Sequence, residues 1–212
     1  MAIESECKFT VADPAVFDRV AELRDIAGYS VSDRGVRRHR DIYFDTADLF
    51  LLRSKIVFRL REKSSGSILS FKAQAPGGGG FYRRLEAESP TTATVADIES
   101  GRLPDLPPYE ELRSRAGAVS LSAALEVENR RRTLLLSRGG VSRFELALDD
   151  VTFTGPRGTA HVLELEVESL GWGDEGLADA GKWLSERFDL SQAGRPSKYI
   201  LGMELVGRKP GM

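Results

Sequence analysis

The chain has 212 residues, of which 41% are hydrophobic and 29% charged, and its formal net charge is −2. This is enough for one domain with a sizeable core, and the near-neutral charge argues against a general nucleic-acid-binding surface. One cysteine excludes an internal disulfide framework, and no apolar run reaches the length of a membrane span. We therefore expect a soluble cytoplasmic protein with a single domain over residues 1–212.

The first predicted element is a strand at residues 4–9, ESECKF. Side chains two residues apart share one face of a strand, so Glu4, Glu6 and Lys8 point one way while Cys7 packs on the other side. Two acids and a base could hold a divalent metal and an anion in a polar cavity, but an ordinary solvated strand face has the same composition. The pattern therefore gains weight only if other strands repeat it.

The next segments predict a helix and a strand. A helix is expected from Asp13 to Gly28, because Asp13 and Pro14 suit a helix start and apolar residues follow at helical spacing. Residues 32–35, SDRG, indicate a turn, and a strand is expected from Arg37 to Asp45.

Alternation continues along most of the remaining chain. It predicts strands over 55–63, 68–74, 81–89, 126–137, 143–150 and 160–169, with a possible hairpin from 151 through the turn at 155–158. Residues 91–117 break the series and predict two short helices, and a last amphipathic helix is expected over 174–188.

These strands share one property, which is a charged face opposite an apolar face. The charged faces carry the acid pairs Glu4/Glu6, Glu86/Glu88 and Glu164/Glu166 and the base pairs Arg59/Arg61 and Arg130/Arg132. Adjacent like charges are tolerable where opposite charges, a metal or an anion lie between them. An antiparallel barrel of about eight strands, polar inside and covered by helices outside, would suit both faces. Arginines match phosphate oxygens and carboxylates match Mg²⁺ or Mn²⁺, so a polyphosphate with a divalent cation is the indicated ligand class.

Nine motifs then resemble, in order, those of the CYTH domain superfamily, the triphosphate tunnel metalloenzymes. They lie at residues 4–8 (ESECK), 41–46 (DIYFDT), 58–61 (FRLR), 71–72 (FK), 84–88 (RLEAE), 130–133 (RRRT), 146–150 (LALDD), 163–168 (LELEVE) and 197–199 (SKY). The superfamily includes inorganic triphosphatases, thiamine triphosphatases, class IV adenylate cyclases and RNA triphosphatases.

The resemblance implies an α+β, mainly antiparallel fold with an eight-stranded closed β-barrel, the triphosphate tunnel, and helices packed on its outside. It implies triphosphate binding by Lys8, Arg59, Arg61, Lys72, Arg84, Arg130, Arg132 and Lys198. It implies Mg²⁺ or Mn²⁺ binding by Glu4, Glu6, Glu86, Glu88, Asp149, Glu164 and Glu166. Catalytic roles fall on Glu4, Glu6 and Lys8. Glu168 has the same facing and is expected at the tunnel mouth, whereas His39 and His161 are expected to be structural.

The leading hypothesis is a divalent-metal-dependent triphosphatase that hydrolyses inorganic triphosphate or an organic or nucleoside triphosphate. A class IV-type adenylate cyclase would use the same tunnel with a ribose hydroxyl as nucleophile. A non-catalytic polyphosphate or nucleotide sensor is the third reading, although a pure anion binder gains little from so many carboxylates. The expected partner is a small molecule containing a triphosphate, with no nucleic acid or membrane, and the expected state is a monomer or homodimer.

Overall fold

A computed structural model of the chain describes residues 2–74, 82–103, 105–171, 175–193 and 197–208, and at residues 2–4 and 82–84 it describes the backbone alone. The helices are α1 (Ala15–Ala21), α2 (Phe50–Arg53), α3 (Val95–Glu99), α4 (Pro107–Ala116), α5 (Leu177–Phe188) and α6 (Lys198–Leu205). The strands are β1 (Ala2–Val11), β2 (Asp25–Ile26), β3 (Tyr29–Asp45), β4 (Ile56–Lys63), β5 (Gly66–Gln74), β6 (Tyr82–Thr91), β7 (Ser122–Arg138), β8 (Val141–Gly155), β9 (Gly158–Ser169) and β10 (Ser191–Gln192).

The strands form one antiparallel sheet in the order β10-β1-β6-β5-β4-β3-β7-β8-β9, with β2 paired to β3. Strand β1 has partners on both sides. It pairs with β6 from Ala2 to Glu6 and with β9 from Glu6 to Val11. The prediction of a mainly antiparallel β structure with helices is therefore confirmed, and β1 carries its side chains between those of β6 and β9.

The predicted helix from Asp13 to Gly28 is wrong in its second half. Helix α1 ends at Ala21, and the apolar residue Ile26 instead lies in the short strand β2, opposite Tyr29 of β3. Ala27 and Gly28 both have positive φ angles, of 53° and 78°, and turn the chain back into β3. Ile26 therefore reaches the core through a hairpin rather than through a helical turn.

Strand β3 is longer than the predicted Arg37–Asp45. It begins at Tyr29, and the predicted turn at residues 32–35 is a β-bulge between Asp33 and Val36 in the pairing with β7. Gly35 has a φ angle of 83°, which favours glycine, and it lies at this irregularity. The turn-forming residues therefore kink a continuous strand because β7 supplies a partner on both sides of the bulge.

Later elements agree with the sequence more closely. The two helices predicted within 91–117 are α3 and α4, and the hairpin turn at residues 155–158 joins β8 to β9. The predicted strand 143–150 and the segment after it are a single strand, β8. Helices α2 and α6 were not predicted. Residues 81 and 174, where a strand and a helix were predicted to begin, lie outside the described residues.

Three apolar clusters pack against the sheet. One contains Phe9 and Leu165 beneath α1 and α5, and Cys7 packs against it as predicted. A second contains Phe58 and Phe71 and is covered by α3 and α4, with Ile98 and Leu112 in the cluster.

The third cluster surrounds α6 and includes Tyr43, Val57, Val127 and Tyr199. Val57 lies two residues before Arg59 on β4, so the face that carries charges becomes apolar where α6 packs against it. The polar face of the sheet is therefore not polar along its whole length. Within the described ranges, no helix combines the length and the apolar character needed to cross a membrane.

Candidate active site

A cavity of about 200 Å³ lies on the charged face of the sheet. It is lined by Glu6, Lys8, Tyr43, Val57, Arg59, Arg61, Lys72, Glu86, Glu88, Arg131, Glu166, Glu168, Ser197 and Lys198. Six of these residues are basic and five are acidic, so the cavity suits a small, highly charged ligand. The alternation of the strands explains the convergence, because side chains two residues apart on β1, β4, β6 and β9 enter the same space.

Lys198, the first residue of α6, is surrounded by carboxylates. Its Nζ lies 2.6 Å from Glu166 Oε1, 2.9 Å from Asp149 Oδ2 and 2.9 Å from Glu164 Oε2. Burial opposes the charge, but Asp149 and Glu164 outweigh it and hold the pKa of Lys198 well above its usual value. The ammonium is therefore a permanent cation in the cavity wall.

Glu166 connects Lys198 to the N-terminal strand. Lys8 Nζ lies 2.7 Å from Glu166 Oε1 and 3.7 Å from Glu6 Oε1. Burial opposes ionisation of Glu166, yet Lys198 and Lys8 hold its pKa well below the usual value. Burial likewise opposes the charge on Lys8, and Glu166 and Glu6 raise its pKa. Lys8 and Glu166 are therefore both charged at neutral pH.

Arg131 completes this group from β7. It donates from Nε and Nη2 to Asp149 at 2.7 and 2.6 Å, and Nη2 also donates to Glu166 Oε2 at 2.7 Å. Burial opposes the charge of Arg131, but Asp149 and Glu166 raise its pKa well above the usual value. The paired bonds with Asp149 fix the plane of the guanidinium, and the residue reaches the cavity.

The sequence motif predicts phosphate binding by Arg130 and Arg132, but the structure places both away from the cavity. Arg130 is exposed, and Arg132 pairs with Asp33 at 2.6 Å on the surface. Arg130 and Arg132 share one face of β7, and Arg131 lies on the other. The prediction follows the face that carries two arginines. In the structure Arg131 faces the cavity instead, because Val127 shares its face of β7 and packs beside α6.

A second charged group forms around Asp41 of β3. Arg61 donates to its carboxylate at 2.7 and 2.8 Å, and Arg59 Nη1 donates to it at 3.2 Å. Burial opposes ionisation of Asp41, but Arg59 and Arg61 hold its pKa far below the usual value. Asp41 lies in the DIYFDT motif, but the sequence predicts no role for it. Its arginine partners come from β4 through strand pairing, which the local sequence does not show.

Strands β5 and β6 supply the part of the wall next to β4. Lys72 Nζ lies 2.8 Å from Glu86 Oε1, and Ser70 Oγ donates to Glu88 Oε1 at 2.7 Å. Arg59 Nη2 also donates to Glu88, at 3.3 Å. Burial opposes ionisation of Glu88, but Ser70 and Arg59 lower its pKa. The arginine is therefore shared between the carboxylates of β3 and β6.

The other predicted site residues divide into three groups. The side chains of Glu4 and Arg84 lie outside the described residues, although their backbones pair across β1 and β6. Asp149 and Glu164 are buried and contact Lys198 rather than line the cavity. Glu168 lines the cavity as its facing predicts.

Neither histidine lines the cavity. His39 Nε2 lies 3.8 Å from Asp41 Oδ2, and its imidazole is almost fully covered. Burial and the neighbouring Arg61 lower the pKa of His39 to about 3, so the ring is neutral beside the arginines. His161 is exposed and forms a hydrogen bond with Asp150 at 2.6 Å.

The donor set of the cavity suits a hard divalent cation. No three His, Cys, Asp or Glu side chains among the described residues are arranged as a metal-binding group. Mg²⁺, however, is usually held by one or two carboxylates together with substrate phosphates and water, so a cage of three protein ligands is not required. Glu6, Glu86, Glu88 and Glu168 present carboxylates to the cavity and fit that mode of binding.

Comparisons with solved structures show which proteins share this fold. A proposed adenylate cyclase from Bacillus halodurans has a TM-score of 0.70 at 20% identity, over 93% of this chain and 97% of that one. HpAC1 from Hippeastrum, a proposed adenylyl cyclase described as having a dominant triphosphatase activity, has a TM-score of 0.72 at 16% identity, over 98% and 99% of the two chains. PH1819 from Pyrococcus horikoshii has a TM-score of 0.57 at 19% identity, over 95% and 99%.

The sequence itself also identifies the family. No curated protein matches the chain. The family model for the CYTH domain, however, matches residues 2–193, which is most of the chain and contains every described lining residue except Ser197 and Lys198. This chain therefore belongs to the CYTH domain family.

Proposed function

We propose that the protein is a divalent-metal-dependent triphosphatase that hydrolyses a terminal phosphoanhydride of inorganic triphosphate or of an organic or nucleoside triphosphate. The observation that carries this proposal is the convergence of six basic and five acidic side chains on one cavity of about 200 Å³. A triphosphate carries several negative charges in a short chain, and cations distributed around a small space match that charge density.

The basic residues bind and orient the phosphates. Arg59, Arg61 and Arg131 offer planar sets of donors that match phosphate oxygens, whereas Lys8, Lys72 and Lys198 act as point charges. In this arrangement each cation is held by a buried or half-buried acid before substrate arrives, so little reorganisation is needed on binding. The same cations offset charge on the transferred phosphoryl group in a loose transition state.

The acidic residues have two tasks in this proposal. Glu6, Glu86, Glu88 and Glu168 would hold Mg²⁺ or Mn²⁺, with Glu4 as a further ligand carried over from the sequence motif. A bound divalent ion supplies charge neutralisation for the phosphates. Glu6, 3.7 Å from Lys8, would orient the attacking water by accepting its hydrogen bond. Lys8 then neutralises the attacked phosphate.

We further propose that the chain is one domain and that the strands enclose the cavity as an eight-stranded barrel. Support comes from β1, which pairs with β6 along its first half and with β9 along its second. The cavity is lined from β1, β3, β4, β5, β6, β7 and β9, so its walls come from nearly the whole sheet. A tunnel of this kind would exclude bulk water from the phosphates and strengthen each ionic contact.

Hydrolysis is favoured over cyclisation. The described triphosphatase activity of HpAC1, a protein with this fold, supports it. Tyr43 is the aromatic residue among the described lining residues, and its ring is already stacked on Tyr199 at 5.3 Å. Tyr43 is also only 3% exposed, so its ring offers an adenine base almost no stacking surface.

The proposal is tested by incubating the purified protein with Mg²⁺ or Mn²⁺ and, separately, inorganic triphosphate, ATP, GTP and thiamine triphosphate. Phosphate and cyclic AMP are both measured. Phosphate release that is abolished by EDTA is the expected result. Cyclic AMP from ATP would identify a cyclase, and tight triphosphate binding without any product would identify a sensor; either result overturns the proposed reaction.

A variant separates this site from contaminating phosphatases. Glu6→Gln removes one charge from a side chain that is 2% exposed and keeps its shape. We expect it to lower kcat by about 10²-fold or more, as for a group that orients the nucleophile. Glu22→Gln, on the surface after α1, is the matched control and keeps full activity. Full activity of Glu6→Gln would place the reaction elsewhere.

A further inference from the structure

Two adjacent residues at the start of α6 point into different surroundings. The Nζ of Lys198 lies among Asp149, Glu164 and Glu166 in the cavity wall. Tyr199 is instead packed in the apolar cluster around α6 and is 1% exposed. The position of the lysine therefore depends on how the first turn of this helix is held.

Tyr199 is held by two contacts. Its hydroxyl donates to Asp45 Oδ2 at 2.5 Å, and its ring stacks on Tyr43 with centroids 5.3 Å apart and an interplanar angle of 10°. Burial raises the pKa of Tyr199, and the adjacent Asp45 adds to the effect, so the phenol keeps its proton and remains a donor. Tyr43 lines the cavity, which places this stack directly against the proposed substrate site.

Asp45 is itself fixed by backbone groups. Its Oδ1 accepts from the amides of Thr46 at 2.7 Å and Leu51 at 2.8 Å, and its Oδ2 accepts from the amide of Leu52 at 3.0 Å. The carboxylate is fully buried at the end of β3. These bonds leave it little freedom to follow a moving partner, so Asp45 is a rigid acceptor for the tyrosine hydroxyl.

Other contacts also hold α6, and one of them caps its first turn from within the helix. Ser197 Oγ accepts from the amide of Ile200 at 3.2 Å. At Gly202, a Cβ atom would lie 2.5 Å from side-chain atoms of Leu125 and Phe153, so the helix backbone packs closely on β7 and β8 there. The Asp45–Tyr199 bond adds a long-range polar contact, across 154 residues of sequence, beside Lys198.

We propose that Tyr199 and Asp45 are positioning residues that hold Lys198 in the phosphate-binding cavity. The proposal rests on the proposed triphosphatase function for its kinetic consequence. Neither residue is assigned contact with substrate. Asp45 fixes the Tyr199 hydroxyl, the hydroxyl fixes the first turn of α6, and that turn places the ammonium where Asp149, Glu164 and Glu166 surround it.

The first test is Tyr199→Phe, which removes one hydroxyl and keeps the ring on Tyr43. We expect kcat/KM for inorganic triphosphate with Mg²⁺ to fall by about three- to tenfold, the size of one net hydrogen bond. Hydrogen exchange of the amides in α6 should become faster while exchange in β8 is unchanged. Tyr109→Phe, on α4, is the control and changes neither quantity.

A double-mutant cycle separates positioning of Lys198 from a general loss of stability. Lys198→Met/Glu164→Gln removes the lysine and one of its acids, which keeps the charge of the cluster balanced. Adding Tyr199→Phe to that background should leave kcat/KM and the triphosphate Kd unchanged within about twofold, since the group being positioned is gone. An equal loss in both backgrounds would overturn the proposal.

The hydrogen-exchange comparison needs no substrate, so it separates the two proposals. If the wild-type protein neither binds nor hydrolyses triphosphate, the proposed function fails. Faster exchange in α6 of Tyr199→Phe would still support the positioning role of Tyr199 and Asp45. Unchanged exchange and unchanged Kd in Tyr199→Phe would overturn the positioning role, whatever the wild-type protein hydrolyses. Asp45→Asn repeats the test from the other partner, and the same loss of α6 protection is expected.

Discussion

Arg61 donates to the Asp41 carboxylate from both Nε and Nη2, at 2.7 and 2.8 Å, and this carboxylate has no exposed surface. Arg59 donates to the same group at 3.2 Å from the neighbouring position on the same face of β4. A single buried acid therefore orients both arginines of the FRLR motif towards the cavity. In our proposal, phosphate oxygens supply further negative charge when substrate binds.

Asp41→Asn should destabilise the protein and increase its response to ligand. Removing one partner of a buried ionic group costs about 3–5 kcal/mol of unfolding free energy. In this variant Arg61 and Arg59 both lose the Asp41 charge, although Arg59 keeps its contact with Glu88. Inorganic triphosphate should raise the Tm of this variant more than it raises the Tm of the wild type, since its charges replace the missing carboxylate. Thermal unfolding with and without triphosphate measures both effects. The exposed Asp105→Asn is the control, and an equal ligand response in all three proteins would contradict the assignment.

The second prediction compares neighbouring arginines of β7. Arg131→Gln should weaken triphosphate binding by about 10- to 100-fold, the size of lost hydrogen bonds to a charged group. Arg130→Gln should change binding by less than about twofold, because the side chain is exposed and does not line the cavity. Calorimetric titration with triphosphate measures both, after circular dichroism has confirmed folding. Comparable losses in the two variants would reverse the facing assigned to β7.

The contrast between Arg131 and Arg130 shows when strand alternation can predict which side chains face the cavity and when it cannot. Alternation placed Lys8, Arg59 and Glu166 correctly, because each lies on a strand whose other face is apolar. In the run of arginines both faces carry charge, so alternation gives two equal answers. The choice is made by Val127 packing beside α6, which is a contact between distant parts of the chain.

Dependence on contacts between distant parts of the chain also explains why the sequence does not predict helix α6 or the role of Asp41. Helix α6 has the sequence KYILGMEL, whose apolar residues show little helical period because Lys198 and Gly202 lie on its buried side while Leu205 is exposed. Asp41 gives no local sign of its role, since its two arginines come from β4 through strand pairing. The sequence therefore predicts the charged face and most of its members, whereas the contacts that orient them come from tertiary packing.

His39 should make stability depend on pH in the mildly acidic range. Its pKa is lowered to about 3, mainly by burial and then by Arg61, with Arg131 and Arg59 adding and Asp41 opposing. The unfolded chain therefore binds the proton first, and stability is full above the ordinary value of 6.5 and falls as pH drops towards 3.

This linkage predicts a loss of about 2 kcal/mol in unfolding free energy between about pH 7.5 and pH 5 from His39 alone. His39→Gln should lose correspondingly less over that range, because glutamine does not titrate. The exposed His161→Gln is the matched control and should follow the wild type. Urea unfolding at both pH values measures the difference, and parallel curves for wild type and His39→Gln would show that the imidazole is not buried as a neutral group.

The last prediction concerns the charge balance around Lys198. Lys198→Met leaves Asp149, Glu164 and Glu166 with one cation fewer in a buried cluster, and we expect a loss of about 3–5 kcal/mol in unfolding free energy. Adding Glu164→Gln should recover part of that loss, because it removes one of the uncompensated charges. The double variant should nevertheless bind triphosphate more weakly than wild type, since a cation that lines the cavity is gone. Urea unfolding of the two variants decides it: a double variant less stable than Lys198→Met would mean that packing of the lysine stem, rather than pairing of its charge, stabilises this part of the fold.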